Sequence, residues 1–232
     1  SKPMLPLIAI PTTAGTGSEC QSFALISDAV THAKMACGDP KAMAKVAILD
    51  PELTLSQPAR VTACTGIDAV AHAVESAVTR KRNETSQQYS RVAFGLLSQS
   101  LPAVLTKPND LEARGLMLLG AAFAGTAIEH SMLGAAHSAA NPLTAHFDVI
   151  HGQAVGLMLP HVVRFNGVDE DIARAYAELV TGTTAASING VPAHESLASL
   201  LEDFMDSAGM PRDLKDCGVD STNIDLLSEE AA

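Results

Sequence analysis

From about Pro58 onward the chain is written in Ala, Leu, Val and Met at helical spacing, punctuated by Pro and Gly. That texture constrains the fold more than any other feature. It predicts helices over 64–79, 84–105, 110–130, 131–140, 151–164, 169–181 and 194–208. The breakers are Pro102, Pro108, Asn141-Pro142, Asn166-Gly167, Gly190-Val-Pro192 and Gly209-Met-Pro211. Only 3% of the residues are aromatic and there is no Trp, so small aliphatic side chains must fill the core. Such side chains suit closely packed helices rather than an aromatic-rich β-sandwich. Ahead of residue 60 the texture differs. Strand-like runs at Leu5–Ile10, Phe23–Ser27 and Val46–Leu49 alternate with turn residues. Two or three strands cannot form a doubly wound sheet by themselves, and the chain opens directly on one of them. Sequence ahead of Ser1 is therefore expected to complete that piece.

Charge and cysteine usage exclude several classes. The net charge is -11, and residues 169–232 carry all of the excess, with 14 acidic against 3 basic side chains. An acidic surface without a basic stripe argues against nucleic-acid binding and reads as a solvated helical face. Cys20, Cys37, Cys64 and Cys217 form no CxxC pair and read as reduced, partly buried thiols, not as a disulfide framework or thiolate metal site. The longest apolar run, Leu116–Ile128, is shorter than a membrane span, and no leader is evident. The expectation is a soluble, cytoplasmic protein that does not engage membranes.

The chemistry-bearing residues lie mostly among the helices. Asp68 and His72 stand four apart within Gly66-Ile-Asp-Ala-Val-Ala-His72, so both leave one helix face, surrounded by apolar neighbours. A carboxylate and an imidazole directed into an apolar surface need each other or a metal ion. Taken alone, the pair also reads as an i,i+4 Asp–His hydrogen bond. His137 and His151 strengthen the metal reading. In one continuous helix they would stand about 21 Å apart at ~1.5 Å per residue, far more than two ligands of one ion. The chain must reverse between them, and Asn141-Pro142 offers a break. Asp68, His72, His137 and His151 could then converge from three helices on Fe2+ or Zn2+. For any single His, a satisfied core histidine is the commoner outcome. His32, His130, His161 and His194 read as loop, cap or surface residues.

A second feature follows the first strand, in Pro11-Thr-Thr-Ala-Gly-Thr-Gly-Ser-Glu19. Hydroxyls and two Gly after a strand suit close approach to a phosphate or ribose. The loop is neither GxGxxG nor a Walker A motif, and a plain strand-to-helix turn reads equally well.

These stretches, with Ala47-Ile-Leu-Asp-Pro51, Thr65–Glu75, Gly134-Ala-Ala-His137 and His151–Val162, occur in the same order in one family. The sequence resembles the iron-containing (group III) alcohol dehydrogenases along essentially its whole length. The resemblance implies a mainly α fold, in which an all-helical metal-binding catalytic domain over 61–232 follows a small α/β remnant of a dinucleotide-binding domain over 1–60. It implies Asp68, His72, His137 and His151 as metal ligands. It also implies NAD or NADP contacts from Thr12, Thr13, Gly15, Thr16 and Lys34, a small alcohol or aldehyde as substrate, and a homodimer. The implied reaction passes hydride between an alcohol and a nicotinamide, with the metal polarising the substrate oxygen. Two departures stand out. Asn141 occupies the position of a His that many members use in proton relay, leaving His146 or water as substitutes. The family's Gly-rich N-terminal half does not precede Ser1, and its helical domain normally continues past Ala232. A metal-binding helical module without turnover and a maleylacetate-type reductase are the alternative readings.

Overall fold

The computed structural model describes residues 4–28, 34–181, 183 and 190–231. Among the described residues, four short strands lie ahead of residue 48, in two separate pairs. β1 (Ile8–Ala9) runs parallel to β4 (Val46–Ala47), with Ile8 opposite Val46. β2 (Phe23–Ser27) and β3 (Lys34–Gly38) pair antiparallel, with Phe23 opposite Gly38. β3 was not expected, because Lys34-Met-Ala-Cys-Gly38 lacks the β-branched and aromatic residues that announce a strand. Leu5, Leu7, Ile8, Ile10, Val46 and Ile48 stay exposed around the parallel pair.

Eight helices follow among the described residues: α1 (Ala59–Val78), α2 (Glu84–Thr106), α3 (Leu111–Ser131), α4 (Ala135–Phe147), α5 (His151–Asn166), α6 (Glu170–Val180), α7 (Ala193–Ser207) and α8 (Ile224–Ala231). The protein is mainly α, as its helical texture requires. α1 is the axis. Every residue from Gly66 to Val78 is buried, because α2, α3, α5 and α6 surround the helix. Ala69, Ala71, Ala73 and Ala77 keep it thin enough for neighbours on all sides. Phe94, Leu97, Leu101 and Met117 from α2 and α3 close the core on one flank, and Leu157, Leu159 and Leu197 from α5 and α7 on the other.

Two boundaries depart from expectation. α1 begins five residues early, since Pro58 sits at its N-cap, where a missing N–H costs nothing. α4 runs straight through Pro142 to Phe147, so Asn141-Pro142 is not where the chain turns back. The reversal falls at Asp148, whose φ of 52° is left-handed. α8 lay outside the expected helices. α3 has the length and hydropathy of a membrane span, which a count of unbroken apolar residues misses. However, 61% of its apolar window is buried inside the protein, where it forms core.

Close contacts tie the N-terminal piece to the helices. Arg114 of α3 is 2% exposed, and its guanidinium donates to the carbonyl and hydroxyl of Thr54 at 2.9 and 3.1 Å. The Thr-rich loop docks on α1 and α3. Thr16 N–H donates to the Thr65 carbonyl at 3.0 Å, and Gly17 lies against α3 at Gly125. A methyl on Gly125 would stand 2.1 Å from the Gly17 carbonyl oxygen, so nothing larger than Gly fits.

Candidate metal centre

The buried stretch of α1 delivers Asp68 and His72 one turn apart into the protein interior, both 5% exposed. α4 brings His137, also 5% exposed, and α5 opens on His151, whose side chain is 31% exposed. α5 can come this near because Gly152 sits directly on the Cys64 carbonyl, where an added Cβ would lie 2.0 Å from the oxygen. Asp68 Oδ1 stands 3.4 Å from His72 Nε2, 3.4 Å from His137 Nε2 and 3.7 Å from His151 Nε2. The His72 and His137 rings stack at 4.9 Å between centroids, and His151 tilts against His137 at 5.4 Å. Donors around one tetrahedral ion with bonds of ~2.1 Å stand about 3.4 Å apart; the donor atoms of Asp68, His72 and His137 all lie within 4.8 Å of one another, and His151 stands beside that group, 3.7 Å from Asp68 Oδ1.

The outer contacts decide which nitrogen each ring offers. His72 Nδ1 lies 2.8 Å from the Thr16 carbonyl, an acceptor only, so Nδ1 carries the hydrogen and Nε2 offers a lone pair. His137 Nδ1 lies 2.5 Å from Glu75 Oε2, which fixes the same tautomer. The other Glu75 oxygen accepts from the Ala136 and His137 backbone N–H groups at 2.6 and 3.3 Å. One carboxylate thereby caps the first turn of α4 and orients the ring that α4 carries. Asp68 Oδ1 and His137 Nε2 are buried without a hydrogen-bond partner. Orphaned polar atoms at this burial need an explanation, and a donor set of one carboxylate and two buried imidazoles, with the His151 imidazole beside it, suits Fe2+ or Zn2+.

The electrostatics have the same cause. Burial opposes the charge on Asp68, but the imidazoles of His72, His137 and His151 outweigh it and hold the carboxyl well below the usual range. Burial pushes His72 down and would do the same to His137. Asp68 and Glu75 flank His137 and instead push it up to about 9. Asp68 and Glu75 place two buried carboxylates against these imidazoles, and a divalent ion would balance that negative charge.

The residues expected at the cofactor loop spread differently. Thr12 is exposed, Thr13 and Thr16 are half-buried and Gly15 is buried. Lys34 opens β3 opposite Ser27, and its side chain lies outside the described residues, as does His32. His146 is not among the clustered histidines: its Nε2 pairs with Glu230 of α8 at 2.7 Å. Sequence reading missed the roles of Thr16 and Glu75 as ring-orienting partners. A signal of another kind marks the site. Among the described residues, the non-glycines with left-handed φ are Thr16, Met132 and Asp148. Thr16 contacts His72, while Met132 and Asp148 lie in the turns that lead to His137 and His151. Such backbone costs ~1–3 kcal/mol each and gathers at functional sites.

Residues 62–232 match the model of the Fe-containing alcohol dehydrogenase family, C-terminal, and residues 1–51 that of iron-containing alcohol dehydrogenase. The chain belongs to the iron-containing alcohol dehydrogenase family. It is 33% identical over 230 residues to the NAD-dependent methanol dehydrogenase of Bacillus methanolicus, covering 99% of this chain and 60% of that relative. To the 1,3-propanediol dehydrogenase of Klebsiella pneumoniae it is 31% identical over 236 residues, with 100% and 60% covered. The solved structure of an alcohol dehydrogenase from Oenococcus oeni superposes with a TM-score of 0.91 at 31% identity, again over 100% and 60%. The chain thus spans about 60% of the length of these family members.

Proposed function

We propose that the chain serves a metal-dependent, NAD(P)-linked alcohol dehydrogenase or aldehyde reductase, with Asp68, His72, His137 and His151 holding Fe2+ or Zn2+. The observation that carries this reading is the pair of orphaned, buried atoms, Asp68 Oδ1 and His137 Nε2, at ion-ligand spacing. When bound, the cation supplies Lewis acidity to an alcohol or carbonyl oxygen, and the nicotinamide gives or takes the hydride. The chain supplies placement. Glu75 and the Thr16 carbonyl hold two imidazoles in the ligating tautomer, and α1 excludes water from one side of the cluster. His151 is the most exposed of the four, so substrate approaches along its edge. Thr12, Thr13, Gly15, Thr16 and Lys34 are proposed to meet NAD or NADP. Asn141, one turn past His137, has no ionisable proton, and His146 is engaged with Glu230.

The test is metal analysis of the purified chain together with NAD(P)H-linked turnover of short alcohols and aldehydes. One equivalent of metal, lost in Asp68→Ala and in His137→Ala, is the expected result. Wild-type protein that is folded after metal loading yet holds no ion would overturn the reading.

A further inference from the structure

We propose that the Ala14–Gly17 loop is a positioning device for the metal cluster, setting the ring of His72 through the Thr16 carbonyl so that the seat of the loop and metal affinity are coupled. The inference rests on the ligand reading above and concerns a segment that is not itself a ligand. Three observations carry it. The Thr16 carbonyl is the acceptor 2.8 Å from His72 Nδ1, across a sequence separation of 56 residues. Thr16 holds a φ of 66°, which a β-branched residue adopts only when its surroundings impose it. Those surroundings are backbone to backbone: Thr16 N–H on the Thr65 carbonyl, and Gly15 and Gly17 seated where a methyl would stand 2.2 Å from Thr65 O and 2.0 Å from Ala121 O. The carbonyl is thus aimed by the seat of the loop on α1 and α3, not by the side chain of Thr16.

The test separates this coupling from the ligand reading. Co2+ alone is titrated into chelator-stripped protein, following affinity by chelator competition and geometry by the cobalt d–d bands. Wild type, His72→Ala, Gly125→Ala and Gly95→Ala are compared. Gly125→Ala forces the loop off α3 without touching a ligand, whereas a methyl at Gly95 meets nothing within 4 Å. Gly125→Ala is expected to bind one Co2+ about 10–100-fold more weakly with shifted bands, the usual effect of losing an outer partner, and Gly95→Ala to match wild type. Because Gly125→Ala could fail to fold, a second measurement uses wild type alone. In metal-free protein with 15N-labelled histidine, the His72 ring, assigned by its loss in His72→Gln, is expected as the Nδ1–H tautomer. A dominant Nε2–H tautomer overturns the proposal, as does wild-type affinity with an unchanged spectrum in folded Gly125→Ala. Failure of wild type to take up Co2+ overturns the ligand reading and the coupling with it.

Discussion

Glu75 is the residue on which two structural levels meet, since it orients His137 and caps the helix that carries it. Glu75→Ala leaves a buried imidazole and two backbone N–H groups without their acceptor. It is expected to cost about 3–5 kcal/mol, the usual penalty for halving a buried ionic pair, read by urea unfolding of metal-free protein. Glu75→Gln keeps an acceptor for α4 and should cost less, while still weakening metal affinity about 10–100-fold in chelator competition. Equal stability of wild type and Glu75→Ala would remove the double role. How legible this was depends on the kind of atom involved. Asp68 and His72 declare themselves by spacing, because two polar side chains on an apolar helix are visible in letters. The Thr16 partner is a carbonyl, which every residue possesses. No pattern of residue types could have singled it out.

Among the helices, caps and cross-links decide the boundaries. Asn83 opens α2 with a capping box, its side chain accepting from Ser86 N–H at 3.1 Å while Ser86 Oγ accepts from Asn83 N–H at 3.0 Å. Its amide also donates to the His130 carbonyl at 2.8 Å, joining α2 to the end of α3. Asn83→Ala should therefore cost about 2 kcal/mol, the upper end for an N-cap, measured by thermal melting. Arg164 of α5 clasps Glu195 and Glu202 of α7, with Nε 3.0 Å from Glu195 and Nη1 2.5 Å from Glu202. The bond to Arg164 holds the Glu202 carboxyl below its usual range. Its stabilisation is present above the unfolded carboxylate range and fades as pH falls through the lower folded value. Both groups are partly exposed, so the effect is about 1 kcal/mol or less. Arg164→Ala should lower stability at neutral pH by that amount, with the loss vanishing as acid protonates Glu202, so that the acid limb of its stability–pH curve is flatter below about pH 5. Helix centres were legible because Ala, Leu and Val recur at helical spacing. The end of α4 was not: Pro142 signals a stop, yet packing of Ala140 and Leu143 in the core carries the helix past it.

For the molecule as a whole, ligands drawn from α1, α4 and α5 exist as a set only in the native state. An ion bound there stabilises by RT ln(1 + [M]/Kd), about 2.7 kcal/mol at a hundredfold excess over Kd. The melting temperature of stripped protein should rise by about 5–10 °C on Co2+ or Zn2+ loading, fall back with chelator, and not respond in Asp68→Ala. A wild-type melt indifferent to metal would contradict the assignment. The general architecture was open to reading, since a helical texture broken by Pro and Gly admits few alternatives. The central place of α1 was less so, because a helix apolar on all sides has no periodic stripe to announce which neighbour it faces. That central place has a consequence for synthesis. Glu75 precedes its partner His137 by 62 residues, so at ~5–20 residues per second the ribosome leaves α1 waiting roughly 3–12 s for α4. During that interval Asp68 and Glu75 remain hydrated on a helix whose other faces are already seeking cover. The helices that cover the axis of the finished molecule are thus all synthesised after it.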